Sequence, residues 1–404
     1  MDSPQRFSEL PDYAFPRLRA LLRDVPPGSN APIEMTIGDP RHPPPAFVAE
    51  AVARHAAAFM SYPPGDGAPA LLEACAAWLA RRYGYAADPA REILALNGTR
   101  EGLYNAAMAL CPEAKAGARP VILTPNPFYQ VYAVAALSVA AEPVYVDATA
   151  ATGDMPDIAS LDPAILERAA LTYVCSPANP QGAVASRGWW RDLLALAERH
   201  DFVVLADECY AEIYRGDPPP GVLEAVREAG ADPERVVAFH SLSKRSNLAG
   251  LRSGFAVSGP RNVARMKQLR NYAGAPLPLP LQMAAAEAWS DEAHVVENRA
   301  LYAAKFDAAR RILPEARIPE AGFFLWLPVP EAVGDGEAAA TKLWAEAGVK
   351  VLPGAYLARD GGAGNPGRGF VRVALVGPQD EVEAGLARLR ACLYGEGEGA
   401  WPTR

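Results

Sequence analysis

The sequence predicts an α/β protein: a mostly parallel sheet flanked by helices, with a second, smaller α+β domain. Three observations carry this. The chain has 404 residues, more than one hydrophobic core normally holds. Short β-branched runs alternate with amphipathic helical stretches through its first two thirds. After the Pro-rich "GAPLPLPLQ" (274–282) the pattern changes to a long helical stretch and then short strands mixed with helices.

Taken in order, residues 1–45 are rich in Pro and mixed polar residues and read as an irregular arm with one short helix near 15–23. "PAFVAEAVARHAAAF" and "APALLEACAAWLARRYG" have apolar residues at helical spacing, the second ending on a glycine stop signal. Strands follow at "VILT" (121–124), "VYV" (144–146), "LTYVC" (171–175), "FVVLAD" (202–207) and "VVAFHS" (236–241). Helical segments such as "GWWRDLLALAERH" separate several of them, as parallel pairing requires. A helix is expected over about 281–312, and "GFFLWLPV", "GVKVLPG" and "GFVRVALV" supply strands of the smaller domain. The division expected is an arm with part of the small domain (1–45), a large domain (46–285) and a small C-terminal domain (286–404).

The formal charge of −8, from 39 basic and 47 acidic residues without long runs, argues against a nucleic-acid or membrane-surface partner. Five scattered cysteines without a CxxC read as reduced thiols, and five histidines form no cluster, so no metal is expected. No basic-then-apolar leader precedes residue 30 and no apolar run reaches membrane-spanning length. The expectation is a cytoplasmic protein.

In an open parallel sheet, ligands bind beyond the carboxyl ends of the strands, so the residues that end strands are where chemistry is expected. "FHSLSKRSNLAGLRSG" (239–254) places Ser241, Ser243 and Lys244 after a strand and Arg252 eight residues on. A lysine there can form an imine with an aldehyde cofactor, and the hydroxyls and guanidinium can hold a phosphate dianion. Alone, Lys244 reads as a surface lysine in a Ser-rich turn. "LADECY" ends a second strand on Asp207, with Tyr210 three residues on. Asp207 suits a metal, a helix cap or the protonated ring nitrogen of a cofactor that accepts electrons. "VCSPANPQG" puts Asn179 in a turn beyond a third strand, and "LALNGTREGL" puts Thr99 and Arg100 where a strand gives way to a helix, whose free N–H groups suit phosphate. Arg372, in "GFVRVAL", lies mid-strand among apolar residues, where a charge is costly unless it is paired or its head reaches water.

Together these segments resemble the class I/II, fold type I aminotransferases, a family built around pyridoxal 5′-phosphate (PLP); the resemblance runs from about residue 33 to 376. It implies that Lys244 carries the cofactor and then acts as the base that moves the substrate proton. Asp207 would pair with the pyridine nitrogen, and Tyr210 and Asn179 would hold the phenolate oxygen, Asn179 also orienting the substrate. Thr99, Arg100, Ser241, Ser243 and Arg252 would form the phosphate cup, with Tyr129 of "NPFYQVY" stacked on the ring. Arg372 would clamp the substrate α-carboxylate and Gly38 of "MTIGDP" would bring backbone up to the substrate. Tyr62 would reach the phosphate of a partner subunit, which implies a homodimer.

"TIGDPRHPPPAFV", "NYAGAPLPLPLQ" and "GNPGRGFVRVAL" look most like the N-succinyldiaminopimelate aminotransferases of bacterial lysine synthesis, which use glutamate and 2-oxoglutarate as the other pair. Arg41, Arg270 and Arg368 are then candidates for the distal end of a long anionic substrate. No secure counterpart appears for the second, partner-supplied arginine of aspartate-type relatives. The same scaffold also hosts aspartate/aromatic transaminases, PLP-dependent C–S lyases and non-catalytic PLP-binding regulators. A dinucleotide-binding enzyme would need G-x-G-x-x-G after the first strand, and the sequence has none there.

Overall fold

The structure is a computed structural model that describes residues 7, 8, 10, 13–362 and 364–395. The chain enters through a helix at Ala14–Leu21 and a two-residue strand, β1 (Ile33–Glu34). The central sheet then takes seven strands: β2 (Ile93–Leu96), β3 (Val121–Asn126), β4 (Glu142–Asp147), β5 (Ala169–Cys175), β6 (Val203–Asp207), β7 (Val236–Ser241) and β8 (Gly254–Ser258). Their order is β2-β8-β7-β6-β5-β3-β4. All pairs are parallel except those of β8, which runs against both β2 and β7.

The continuous apolar runs have a physical reason. Alternate residues of the central strands point to opposite faces, and both faces are covered. Val121, Leu123, Val204 and Val236 pack on one side with Trp78, Trp190 and Leu193 from helices. Ile122, Leu171, Leu205 and Val237 pack on the other with Leu103, Tyr132 and Met266. A strand with no wet face cannot alternate. The covering helices are locally specified too. Pro69–Tyr83 starts with proline at its first position and stops on Gly84, whose φ of 62° suits a residue without Cβ. Arg187–His200 is capped by Ser186 Oγ, which accepts from Trp189 N at 3.1 Å.

A separate core joins the helices Ala293–Ile312 and Gln379–Leu393 to β9 (Phe324–Pro328), β10 (Val349–Lys350) and β12 (Phe370–Ala374), while Leu352 of β11 (Leu352–Pro353) packs with Leu18 and Trp326. β11, β12 and β9 form an antiparallel sheet in that order, and β10 pairs in parallel with β1 of the entering segment. Ile33 and Met35 are buried in this core. The helix expected over 281–312 is two helices, Leu279–Ser290 and Ala293–Ile312. Asp291 is extended at the break, and its Oδ1 accepts from His294 N at 3.1 Å, which starts the second helix.

Candidate active site

β5, β6 and β7 run in register, with Cys175 beside Asp207 and Asp207 beside Phe239, so their carboxyl ends open onto one edge. The start of β8 lies at the same edge because that strand is reversed, which brings Arg252 there. A cavity of about 360 Å³ sits at this edge, within the roughly 300–1,000 Å³ usual for small-ligand sites. It is lined by Gly38, Thr99, Arg100, Tyr129, Asn179, Asp207, Tyr210, Ser241, Ser243, Lys244, Arg252 and Arg372.

Lys244 stands in the short helix Leu242–Arg245 directly after β7, capped by Ser241, whose Oγ accepts from Ser243 N at 3.1 Å and donates to Ser243 Oγ at 3.0 Å. Its Nζ donates to the Gly38 carbonyl. Burial pushes the ammonium down to about 8; Asp39 and Cys209 oppose this, while Arg372 and Arg252 add to it. Gly38 must be glycine here, since a Cβ would lie 2.4 Å from Phe324 Cζ. Arg252 holds a left-handed backbone (φ 57°) and donates to Ala249 O at 2.8 Å. Its guanidinium presses on Gly98, where a Cβ would lie 2.1 Å from Nη2. Thr99 begins the next helix, with Oγ1 3.0 Å from Cys209 Sγ. Arg100 turns toward the aromatic wall, donating from Nε to Tyr129 Oη at 2.6 Å.

Asp207 is 5% exposed and makes no ion pair within 4 Å among the described residues. Burial raises its carboxyl; donors on Cys209 and Tyr132 and the charge of Lys244 work the other way. Tyr132 Oη donates to Oδ2 at 2.7 Å and Cys209 N to Oδ1 at 3.3 Å. Tyr210 is buried edge-on against Phe323 and Phe324.

Arg372, on β12, is 4% exposed. Its Nη1 donates to Asn179 Oδ1 at 3.0 Å and Nη2 to Thr36 O at 2.6 Å, while Nε has no partner. Burial lowers it to about 10, and no carboxylate offsets that. A buried guanidinium with only neutral partners is able to receive an anion.

Tyr62 lies elsewhere: it is fully exposed and does not line the cavity. The three arginines considered for a distal substrate group are also absent from it. Arg41 pairs with Glu381 at 2.6 Å, Arg270 is buried against Glu101 at 2.6 Å, and Arg368 lines a second polar cavity with Arg17 and Asp335. Each faces a partner or a space that sequence distance concealed. Conversely Tyr132, Asp39, Cys175, Cys209, Tyr13 and Phe324 line the cavity without having been singled out. The spacing of Tyr129 and Tyr132 on one turn of "FYQVY" is the signal that was available for Tyr132.

The set fits PLP on its own chemistry: an amine, a buried carboxylate without a cation, and hydroxyls with an arginine at the strand ends. Among the described residues no group of three His, Cys, Asp or Glu side chains is placed to hold a metal ion, and no helix is long and apolar enough to cross a membrane.

Comparison with known proteins agrees. The family model for aminotransferase class I and II matches residues 31–389. An LL-diaminopimelate aminotransferase of Dehalococcoides mccartyi is 30% identical over 96% of this chain and 98% of its own. An aminotransferase of Neisseria meningitidis superposes with a TM-score of 0.91 at 36% identity, covering 96% of this chain and 99% of that one. A probable N-succinyldiaminopimelate aminotransferase of Thermus thermophilus gives 0.81 at 28% identity, covering 94% and 100%. The chain belongs to the class I and II aminotransferases and is a PLP-dependent enzyme that exchanges amino groups between amino acids and oxo acids.

Proposed function

We propose that this aminotransferase takes N-succinyl-LL-2,6-diaminopimelate as amino donor and 2-oxoglutarate as acceptor, in the diaminopimelate route to lysine. The observation that carries the amino-acid part is Arg372, a buried arginine with a free Nε and no carboxylate partner, in the same cavity as Lys244. The succinylated donor is supported by the sequence resemblance and by the name of the Thermus relative. LL-diaminopimelate itself is the second reading, favoured by the name of the Dehalococcoides relative.

PLP, when bound, supplies the aldehyde that the amine joins and the ring that accepts the electron pair freed at Cα. The chain's own residues do the rest. Arg372 and Asn179 hold the α-carboxylate and so fix which bond at Cα faces the base. Lys244 Nζ, whose proton affinity burial lowers, would take the Cα proton and hand it on as the base of the exchange. Asp207 would pair with the ring nitrogen, and Tyr210 and Asn179 would hold the phenolate oxygen. Thr99, Arg100, Ser241, Ser243 and Arg252 would hold the phosphate, Tyr129 would pack on the ring, and Gly38 would let backbone approach the substrate.

A division into a large domain and a smaller one that includes part of the entering segment is supported by the two separate cores. The large core runs on through Ala286, Ala288 and Trp289, so the boundary falls after the helix Leu279–Ser290 and not at 285/286. A homodimer that shares Tyr62 with its partner is supported by an exposed group of large side chains. Met60, Tyr62 and Tyr272 are 89%, 103% and 90% exposed, and Gly65 lies against Asn271, which joins the two segments. Sedimentation should give about twice the 43.0 kDa chain mass, and a monomer would remove the role of Tyr62. For the substrate, a donor panel with 2-oxoglutarate should place N-succinyl-LL-diaminopimelate above LL-diaminopimelate and both well above aspartate in kcat/KM. Equal or better turnover of aspartate contradicts the assignment; release of ammonia in place of the pyridoxamine form contradicts transamination.

A further inference from the structure

The carboxylate of Asp207 lies in a ring of titratable groups: Tyr132 and Tyr129 from one loop and helix, Cys175 at the end of β5, Cys209 and Tyr210 after β6, and Lys244 after β7. Only Lys244 among them carries a positive charge, and its Nζ is engaged by the Gly38 carbonyl. The shortest bond to the carboxylate comes from Tyr132, on the helix Val131–Ser138. Tyr132 is 0% exposed and stacks on Tyr173, with ring centroids 4.4 Å apart and planes 8° from parallel. Its ring is therefore fixed by packing, and its hydroxyl is delivered to Oδ2 without rotational freedom. The Tyr173 hydroxyl is spent elsewhere, donating to Leu103 O at 2.7 Å.

We propose that Tyr132 is a positioning residue for transamination, its phenol O–H holding Oδ2 of Asp207 so that the carboxylate stays ionised beneath the cofactor's ring nitrogen. A donor to a buried carboxylate favours the ionised form, and burial alone favours the protonated one. Without the hydroxyl the proton shared by Asp207 and the ring nitrogen moves toward Asp207. The ring then loses positive charge and accepts electrons less readily. The inference rests on the assignment of Asp207 to the ring nitrogen.

The test compares Tyr132→Phe with Tyr173→Phe, two removals of one buried hydroxyl from the same stack, and with Asp207→Asn. The readout is the pH midpoint of the absorbance change of the lysine-bound cofactor, together with kcat and KM for the amino donor. A positive ring nitrogen eases proton loss from the nearby lysine–cofactor nitrogen, so its weakening raises the midpoint. Y132F should shift the midpoint upward and lower kcat about tenfold with little change in KM, a single charged hydrogen bond's worth. Y173F should leave the midpoint in place. If Y132F does not fold, Tyr132→His, which keeps an N–H donor in a smaller ring, takes its place and should show a smaller shift in the same direction. An unshifted midpoint in the Tyr132 variant overturns the inference, as does an equal shift in Y173F. An unshifted midpoint in D207N overturns the Asp207 assignment itself, so the two failures are distinguishable.

Discussion

Among the described residues, Lys305 is buried and Lys244 half-buried, and loss of water pushes both down to about 8, yet their surroundings differ. Lys305 is 1% exposed on the helix Ala293–Ile312, with Nζ 2.5 Å from His42 Nε2 and the Tyr302 ring beneath it. His42 in turn bonds Asn298 at 3.0 Å, and Asn298 donates to the backbone of Lys244 and Arg245. That cluster closes on itself. Lys244 instead lines a cavity with hydroxyls, two carboxylates and three arginines around it. A depressed lysine marks burial; only access to a shaped space marks chemistry.

The arginines repeat the contrast. Burial also works against the charge of Arg82, but Tyr83 and Glu212 outweigh it and raise its proton affinity. Its Nε donates to Glu212 at 2.8 Å, and Glu212 also pairs with Arg299 at 3.0 Å. Arg372 has no such carboxylate and falls to about 10. One arginine has its carboxylate within the fold, and the other has none there.

Substitutions separate the two kinds of site. Lys244→Ala should lower kcat by at least about a thousandfold while PLP still binds noncovalently, because it removes both the attachment point and the base. Absorbance titration with PLP and single-turnover assays check this, and substantial turnover would mean the base is another residue. Next in size, Arg372→Ala should lower kcat/KM for the amino donor by about a hundredfold, the loss of a charge-assisted carboxylate clamp. Its unfolding midpoint in urea should hold or rise, since an unpaired buried charge is gone. Arg82→Ala should do the reverse. It leaves Glu212 short of a partner, should cost roughly 3 kcal/mol of stability in urea unfolding, and should spare kcat per folded molecule.

A smaller effect lies in pH. A neutral amine is the form that attacks PLP, and Lys244 is neutral above its own pKa, about 8 against 10.5 for a free lysine. Capture of PLP by cofactor-free enzyme should therefore speed up through about pH 8 and level off above it. A rise continuing to pH 10 would show an ordinary, solvated lysine.

The strand ends were legible because they are local: Ser-x-Ser-Lys, Asp207 and Asn179 each close an apolar run. Parallel register then brings them together without further information. Pairings over long sequence distance were not legible. Arg270 looked available because Glu101, its partner, lies 169 residues away, and Tyr132 was given no role because Asp207 lies 75 residues away. β8 was not expected because nothing in "GFAVS" says which neighbours it inserts between or in which direction. The break in the helix over 281–312 hangs on one side-chain cap, Asp291 to His294.

Access to the cavity, and not burial alone, should select the lysine that takes PLP. Borohydride reduction of the PLP-loaded enzyme, followed by digestion and mass mapping, tests it directly. The pyridoxyl group should be found on the peptide containing Lys244 and on no other. A label on Lys305, or on a surface lysine in its place, would contradict the site.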